Sequence, residues 1–203
     1  MIPTPIKITQ TLTEDQKQQV AALFYEAFSM KFHGLLDLPR EEAFCIAFLR
    51  ESINYEIGHY AVQGPKVLGV VALATGKQSF DQMTYPVFRK YFPFFGAMWR
   101  WVGYALFQFL HQPPDEETVL VDSLFVSSAT RGMGIGSMLL NHAVETTRAM
   151  GRNKLILGVV NTNPGAKRLY ERFGFEVYKT EKTGWFTSRA GFTSSYIMRK
   201  VLD

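Results

Sequence analysis

Three glycines stand at alternate positions just before an apolar helical pattern, and this segment has the residue types most able to do chemistry. Gly132, Gly134 and Gly136 follow a strand-like stretch in the run DSLFVSSATRGMGIGSMLL. Because glycine has no Cβ, its backbone can curl closely around an anion and direct several N–H groups at it, and a helix dipole adds a favourable potential. The pattern therefore predicts a cradle for a pyrophosphate group.

The spacing of these glycines excludes two common nucleotide-binding motifs. A dinucleotide fingerprint needs glycines at positions i, i+2 and i+5, but the residue five after Gly132 is Ser137. A Walker A loop needs Gly-Lys-Ser or Gly-Lys-Thr, and neither triplet occurs in the chain. A different kind of phosphate-binding loop is required.

Two sequence blocks resemble the GNAT superfamily of N-acetyltransferases. The first, Arg131-x-x-Gly134-x-Gly136, is similar to the coenzyme A loop of that family. The second is Asn163-x-x-Ala166-x-x-Leu169-Tyr170-x-x-x-Gly174-Phe175, which follows after one predicted helix and one predicted strand. The resemblance is specific over residues 122–175. It implies acetyl-CoA as co-substrate and an α/β fold (α+β mixed sheet) with a central, mostly antiparallel, splayed sheet flanked by helices.

The resemblance also implies how the coenzyme is held. In the family geometry the strand at residues 118–126 splays away from the strand at 155–160, and the pantetheine arm fills the gap like an extra strand. A backbone N–H near Phe125 or Val126 would then face the thioester carbonyl and serve as the oxyanion donor. The positions implied to bind the coenzyme are Leu124, Phe125, Val126, Arg131, Gly132, Met133, Gly134, Ile135, Gly136, Ser137, Asn161, Asn163, Ala166 and Tyr170.

Acetyl transfer from a thioester to an amine needs a neutral amine, a donor for the oxyanion and a proton for the thiolate. By resemblance, Tyr170 is the candidate general acid, and its proton transfer to a thiolate is uphill by roughly 2 kcal/mol. Asp122 is the candidate general base, although an ordinary carboxylate lies about six pKa units below an alkylammonium, so it would need burial or a water relay. A helix-capping or substrate-binding carboxylate is the alternative, and Glu116 and Glu117 are the next candidates for the base.

The elements that must position these residues follow one α/β order. Hydrophobic alternation and β-branched residues predict strands at residues 6–9, 60–63, 67–75, 118–126, 154–160, 175–179 and 195–201. Helical spacing predicts helices at residues 40–53, 136–150 and 164–173, and an earlier one opened by the capping box Thr13-Glu14-Asp15-Gln16. The buried face of that first helix is predicted to comprise Val20, Leu23, Phe24, Ala27 and Phe28. The whole order, β-α-α-β-β-insertion-β-α-β-α-β-β, predicts a single GNAT-like domain over residues 1–203.

Residues 77–117 form an insertion on which the resemblance is silent. Nine aromatic residues fall within positions 91–110. That segment could span the ~30 Å of bilayer hydrocarbon as a helix, but Arg100 at its centre, Pro93 near its start and the shared sheet on both flanks disfavour a membrane span. Three interpretations stay open: a helical lid over an apolar or aromatic acceptor pocket, a homodimer interface, and a membrane-surface patch.

Composition and charge bound the remaining possibilities. The chain has 203 residues, of which 47% are hydrophobic and 20% charged, so it suits one folded domain with a sizeable core. A formal charge of +4 without a basic run disfavours nucleic-acid binding. The first ten residues, MIPTPIKITQ, lack a long apolar segment, so no signal peptide is expected and a cytoplasmic location is predicted.

The single cysteine and the histidines suggest no further chemistry. Cys45 lies in an apolar helical pattern and is predicted to be a buried core thiol, and one cysteine excludes an internal disulfide. His33, His59, His111 and His142 are predicted to be structural or surface residues. Without ligand spacing among His, Cys and carboxylate residues, no metal is expected.

The function indicated by these observations is acetyl transfer from acetyl-CoA to a primary amine of a small molecule or peptide, by direct attack. Two alternatives stay open. One is transfer of a longer acyl chain, and the other is a non-catalytic module that binds acyl-CoA, a membrane or a partner.

Overall fold

Seven strands in the described part of the chain form one mixed sheet. The computed structural model describes residues 5–110 and 115–202. The strands are β1 Lys7–Thr9, β2 Gly58–Gln63, β3 Lys66–Ala74, β4 Thr118–Val126, β5 Lys154–Val160, β6 Glu176–Lys182 and β7 Ser194–Val201. Their order across the sheet is β1-β2-β3-β4-β5-β7-β6, and every neighbouring pair is antiparallel except β4 with β5. The predicted mixed, mostly antiparallel sheet is confirmed.

Helices cover both faces of this sheet. They are α1 Glu14–Leu36, α2 Glu42–Ser52, α3 Tyr85–Tyr91, α4 Phe94–Leu110, α5 Ile135–Ala149 and α6 Pro164–Arg172. Short 3-10 helices lie at Tyr55–Ile57, Ser128–Thr130 and Gly184–Ala190. Helices α1 to α4 share one apolar core with the sheet, and α5 and α6 share a second core on the other face.

The two cores exist because neighbouring strand residues point to opposite faces of the sheet. In β3, Val70 and Ala72 belong to the core under α1, whereas Val71 and Leu73 belong to the core under α5. Strand β3 is therefore buried on both faces, which explains its nearly continuous apolar sequence.

Helix α1 begins at the predicted capping box but departs from the predicted buried face. The N–H of Gln16 donates to Thr13 Oγ1 at 3.2 Å, and the N–H of Thr13 donates to Gln16 Oε1 at 3.0 Å. Val20 and Phe24 are buried as expected, but Ala27 is exposed. The helix is kinked at Phe28 (φ −130°), where the predicted apolar stripe would continue.

The insertion contains α3 and α4, which pack against α1 and α2. Phe88 of α3 and Ala97 of α4 are fully buried. Arg100, near the middle of α4, donates from Nε to Leu36 O at 2.9 Å and from Nη2 to Asp37 O at 2.8 Å. Because those carbonyls lie at the C-terminal end of α1, the arginine caps that helix and fixes α4 to it.

The opposite face of α4 is exposed. Phe95 is 82% exposed and Phe109 76% exposed. The other large apolar side chains on this face are Phe94, Trp99, Val102 and Leu106. Among residues 5–110 and 115–202, no helix is both long enough and apolar enough to cross a membrane.

Cys45 is fully buried in the core under α1, as predicted. Its thiol donates to Pro39 O at 3.0 Å, and burial raises the pKa of the thiol to about 11. A thiol that is buried and protonated at neutral pH is a poor nucleophile, so Cys45 acts in packing.

Two histidines form a partly buried pair between β2 and α5. His142 Nε2 lies 2.9 Å from His59 Nδ1, and only 6% of His59 is exposed. Burial and the neighbouring ring lower the pKa of His59 to about 4, and burial also lowers the pKa of His142. His33 bonds to Leu38 O at 3.0 Å, so these three residues have the structural role predicted for them. His111 lies outside the described residues.

The histidine pair predicts that stability falls as the pH is lowered. The pKa of His59 is about 4 in the folded protein against an ordinary 6.5, so the unfolded chain binds more protons between these pH values. The free energy of unfolding should therefore drop by about 1–2 kcal/mol more between pH 7.5 and pH 5 than in His59→Gln. Urea denaturation at the two pH values measures this, with His33→Gln as the matched control. Equal losses in the wild type and His59→Gln would contradict the assignment.

Candidate active site

The parallel strands β4 and β5 separate halfway along their length. Their pairing runs from Thr118 with Lys154 to Val121 with Leu157 and ends there. Strand β5 continues to pair with β7 as far as Val160. Residues 122–126 of β4 therefore present an open edge toward β5, and the predicted splay of the sheet is confirmed.

Asp122 occupies a β-bulge at the point where the strands separate. Along the β3–β4 ladder Ala72 pairs with Ser123 and Leu73 with Val121, which leaves Asp122 as the extra residue. A bulge locally increases strand twist and re-aims side chains, and bulges are frequent beside functional sites. The carboxylate is thereby brought to the inner end of the open edge.

The alternation of backbone groups identifies which amides face the open edge. The N–H of Ser127 donates to Leu68 O of β3 at 2.9 Å. Because N–H groups alternate along a strand, the Phe125 amide also points toward β3, and those of Leu124 and Val126 point toward the gap. Of the two residues predicted to supply an oxyanion donor, the geometry favours Val126. The Phe125 ring instead packs in the core under α1, stacked 5.4 Å from Phe24.

The glycine loop lies between β4 and α5 and has the backbone conformation that glycine permits. Gly132 has φ +83° and Gly134 has φ +80°, and around both positions the space that a Cβ would enter is open. Gly134 is the N-cap of α5, and within the described residues no side chain caps that helix. The first-turn amides of Ile135, Gly136 and Ser137 are therefore suited to an anion. Arg131 and Met133, both of which are exposed, lie in the same loop.

The second sequence block packs directly on this loop. A Cβ at Gly136 would lie 3.3 Å from Leu169 Cδ2 of α6 and 3.9 Å from Val126 Cγ2 of β4. Asn163 caps α6 by accepting the Ala166 N–H at 3.1 Å, with Pro164 as the first helical residue. The structure thus brings the two blocks together at the outer end of the open edge.

Tyr170 is buried in the core under α5, whereas Asn161 is exposed and bonds to the backbone at the start of β7. Tyr170 is 6% exposed, its ring lies 6.1 Å from Phe175, and burial raises the pKa of its hydroxyl to about 12. Burial also raises the pKa of a thiol, so the difference between the pKa of the Tyr170 hydroxyl and that of a buried leaving thiol is reduced. Asn161 Oδ1 accepts the N–H of Thr193 at 3.3 Å and of Ser194 at 3.4 Å, so it anchors the start of β7.

Asp122 belongs to a polar cluster on the α1 side of the sheet. Its Oδ2 accepts the Phe80 N–H at 2.9 Å. The hydroxyl of Ser79 donates to Asp81 Oδ1 at 2.8 Å and also lowers the pKa of Asp122. Burial, followed by the negative charge of Asp81, outweighs these bonds and the positive charge of Lys31, and raises the pKa of Asp122 to about 6.

The two runner-up carboxylates lie elsewhere. Glu116 and Glu117 lie in the turn before β4, at the end where it pairs with β5, and the first strand residue there, Thr118, is already roughly 13 Å along the strand from Asp122. Both are exposed, and Lys154 Nζ donates a hydrogen bond to Glu117 Oε2 at 3.0 Å. The structure therefore does not bring these glutamates to the open edge.

Sequence reasoning missed the polar cluster that forms around Asp122. Ser79 and Asp81 lie in the loop after β3, Lys31 is on α1, and Tyr104 is on α4, where its hydroxyl donates to Asp81 O at 2.5 Å. No motif marks these residues, because the fold brings them to β4 from three other segments of the chain. In the part of the chain that the structure describes, no three His, Cys, Asp or Glu residues are grouped to hold a metal ion.

Solved structures share the fold of this chain. An N-acetyltransferase from Staphylococcus aureus Mu50 superposes with a TM-score of 0.65 over 96% of this chain and 100% of its own, at 15% identity. At that identity the similarity concerns the fold alone: a splayed sheet with helices on both faces.

The family follows from the sequence match. The model of the acetyltransferase (GNAT) family matches residues 21–175, so the chain belongs to the GNAT acetyltransferase family. It is 30% identical over 88 residues to mouse thialysine N-epsilon-acetyltransferase, covering 43% of this chain and 51% of that protein. It is 39% identical over 69 residues to an uncharacterized N-acetyltransferase of Methanocaldococcus jannaschii, covering 34% of this chain and 30% of that protein. The matches thus span about half or less of these relatives.

Proposed function

We propose that the chain is an acetyl-CoA-dependent N-acetyltransferase that acetylates a primary amine of a small molecule or peptide. The observation that carries this proposal is the open edge of β4 at residues 122–126, with the glycine loop at one end and the Asp122 bulge at the other. An open strand edge offers backbone donors to an extended ligand as a neighbouring strand would. The domain would extend over residues 1–203 with its insertion at 77–117.

The residues present fit coenzyme A at three places. The loop from Arg131 to Ser137 would hold the pyrophosphate through backbone amides at positive-φ glycines and an uncapped helix start. The backbone of Leu124 and Val126 would pair with the amide groups of the pantetheine arm. Asn163 and Ala166, in the first turn of α6, would flank the arm on the β5 side.

The bound coenzyme would supply an acetyl group activated as a thioester. The Val126 N–H would donate to the thioester carbonyl oxygen and stabilise the charge that develops there. Asp122 would take a proton from the ammonium, directly or through water, and the amine nitrogen would attack the carbonyl carbon. As the C–N bond forms and the C–S bond breaks, Tyr170 would give its proton to sulfur, and one proton in total would be released to solvent.

The raised pKa of Asp122 determines how kcat/KM is expected to depend on pH on the acid side. With a pKa of about 6, Asp122 lies about four pKa units below an alkylammonium, so the proton transfer is uphill by roughly 5.5 kcal/mol, instead of roughly 8 kcal/mol for an ordinary carboxylate. The carboxylate must be ionised to accept a proton, so kcat/KM should fall as the pH drops through about 6. Asp122→Asn should lower kcat/KM by about 10- to 100-fold and make kcat/KM less dependent on pH in this range.

The control is Asp115→Asn, which changes an exposed aspartate before the same strand. An unchanged profile in Asp122→Asn would assign the carboxylate to holding the Phe80 amide only.

The proposed reaction is tested by the release of free coenzyme A thiol from acetyl-CoA in the presence of a panel of metabolite and peptide amines. At least one primary amine should accelerate release and give the acetylated amine by mass spectrometry. A parallel series of acyl-CoA donors measures whether longer chains are used. If no amine accelerates release from any donor while coenzyme A binds, the chain is a binding module and the proposal fails.

Three sequence-based statements stay predictions. These are the cytoplasmic location, the absence of nucleic-acid partners, and a homodimer formed through the aromatic insertion. The exposed apolar face of α4 supports the last of these. Sedimentation equilibrium of the wild type and Phe95→Glu would measure it.

A further inference from the structure

An apolar cavity of about 150 Å³ lies between α1, α4 and the loop after β3. Its walls include Phe32, Leu35, Leu36, Met83, Tyr104 and Phe107. Met83, Tyr104 and Phe107 belong to the insertion at residues 77–117, so the insertion builds part of the cavity wall. A larger groove of about 320 Å³ between α1 and α2 is lined by charges that already pair with one another, such as Glu14 with Arg50 at 2.8 Å.

One carboxylate links the cavity to the open edge of β4. Asp81 lines the cavity, and its Oδ1 accepts the Ser79 hydroxyl at 2.8 Å. The N–H of Phe80, the chain neighbour of Asp81, donates to Asp122 Oδ2 at 2.9 Å, at the bulge where β4 and β5 separate. A cationic amine at Asp81 would therefore lie beside the group proposed to take its proton, on the α1 side of the sheet.

The size and lining of the cavity limit what can accompany the amine. A cavity of about 150 Å³ lined by Leu, Ile and Phe binds a single benzene molecule in another protein. Apart from Lys31, Asp81 and the hydroxyl of Tyr104, the walls here are also apolar, so they suit one aromatic ring or a branched alkyl group of similar volume. Burying such a group is favourable by the area that it removes from water.

Lys31 limits the charge of the ligand. It lines the same cavity, with Nζ 5.9 Å from the centroid of the Phe107 ring, and its positive charge is felt at Asp122. A second ammonium on the ligand would meet this cation in a confined space of low polarity, where like charges repel strongly. The cavity therefore disfavours polyamines and diamino acids.

We propose that this cavity is the acceptor site, and that the acceptor is a primary monoamine with one compact apolar group no larger than an aromatic ring. The inference rests on the proposed function and names the substrate class of the same site. Benzylamine and isoamylamine represent this class, and spermidine and lysine represent the amines that the cavity excludes.

Filling the cavity tests this assignment. Gly103 lines the cavity from within α4, and a Cβ there meets open space. Leucine in a helix interior is favoured over glycine, so Gly103→Leu is expected to fold. It should weaken benzylamine binding about tenfold or more by isothermal titration calorimetry, with coenzyme A binding unchanged. Val102→Leu, an exposed neighbour on α4 that does not line the cavity, is the matched control.

Two further variants test the size of the cavity and the charge of Asp81 separately. Phe107→Ala should enlarge the cavity and shift preference toward two-ring amines such as naphthylmethylamine, a gain that a merely destabilised variant would not show. Asp81→Asn should weaken benzylamine about tenfold but leave its uncharged analogue, benzyl alcohol, within about twofold.

The binding measurement keeps this inference separate from the proposed function. If spermidine, lysine or a peptide amine is acetylated faster than benzylamine, the cavity assignment is overturned and the acetyl transfer stands. If benzylamine binds and Gly103→Leu abolishes that binding, but no amine releases coenzyme A, the cavity stands and the proposed function fails. Benzylamine binding that is equal in Gly103→Leu and Val102→Leu overturns the cavity assignment whatever the turnover.

Discussion

Tyr170→Phe is expected to lower kcat for acetyl transfer about 100-fold while the dissociation constant of acetyl-CoA changes by less than about twofold. The reason is that the hydroxyl supplies a proton only as the C–S bond breaks, whereas the ring keeps its packing against Phe175. With the hydroxyl pKa raised to about 12, Tyr170 stays protonated across the working pH range, as an acid must. Steady-state kinetics and calorimetric titration of the coenzyme measure the two quantities.

The control is a second buried tyrosine away from the open edge. Tyr60 of β2 is fully buried in the core under α1, and its hydroxyl donates to Tyr55 O at 2.9 Å. Tyr60→Phe should reduce stability and leave kcat nearly unchanged. If kcat of Tyr170→Phe equals that of the wild type under conditions where chemistry limits the rate, Tyr170 is a core residue and not the acid.

Gly134→Val should weaken coenzyme A binding by at least about 100-fold. The backbone at Gly134 has φ +80°, a left-handed conformation that a β-branched residue adopts only with strain. Its Cβ would also enter the open space at the start of α5, where the pyrophosphate is proposed to lie. Steric exclusion and strain therefore act in the same direction, and calorimetric titration with coenzyme A measures the loss.

The matched control separates exclusion from strain. Gly151 follows the other end of the same helix with φ +67° and open space around its Cβ position. Gly151→Val should cost comparable stability and leave coenzyme A binding intact. Normal affinity in Gly134→Val would remove the loop from the coenzyme site.

The sequence predicted those parts of the fold that depend on local patterns. The bounds of β4 and β5 agree with the prediction residue for residue, because both strands combine β-branched residues with clear turns at their ends. Helix α5 begins at Ile135, one residue before the predicted start, because Gly134 serves as the cap. The splay between β4 and β5 was implied by the family resemblance and not by any local pattern.

The candidate site was predicted in part, because half of it is made by contacts between distant segments. The glycine loop and the block at residues 163–175 were visible as motifs. The bulge at Asp122 was not, since it depends on the register of β4 against β3. Asp81 is 41 residues from Asp122 in the chain, and Tyr104 is 18 residues from it. No local pattern indicates that Asp81 lies near the Asp122 carboxylate, or that Tyr104 contacts Asp81.

The two faces of α4 in the aromatic insertion have different surroundings. The inner face of α4 lines the cavity, through Tyr104 and Phe107, and its outer face exposes a row of large apolar side chains. Arg100 also has a definite role, because its guanidinium caps α1 and stacks 4.3 Å from the Phe92 ring. The cluster of aromatics is therefore divided between a wall of the proposed acceptor site and an exposed apolar surface.

A crystal structure of the chain with coenzyme A tests the central claim most directly. We expect the pantetheine arm to lie between residues 122–126 of β4 and residues 158–160 of β5, paired with the backbone of Leu124 and Val126. We also expect the pyrophosphate on the amides of the Arg131–Ser137 loop. Coenzyme A bound elsewhere, with the edge of β4 still open, would contradict the account.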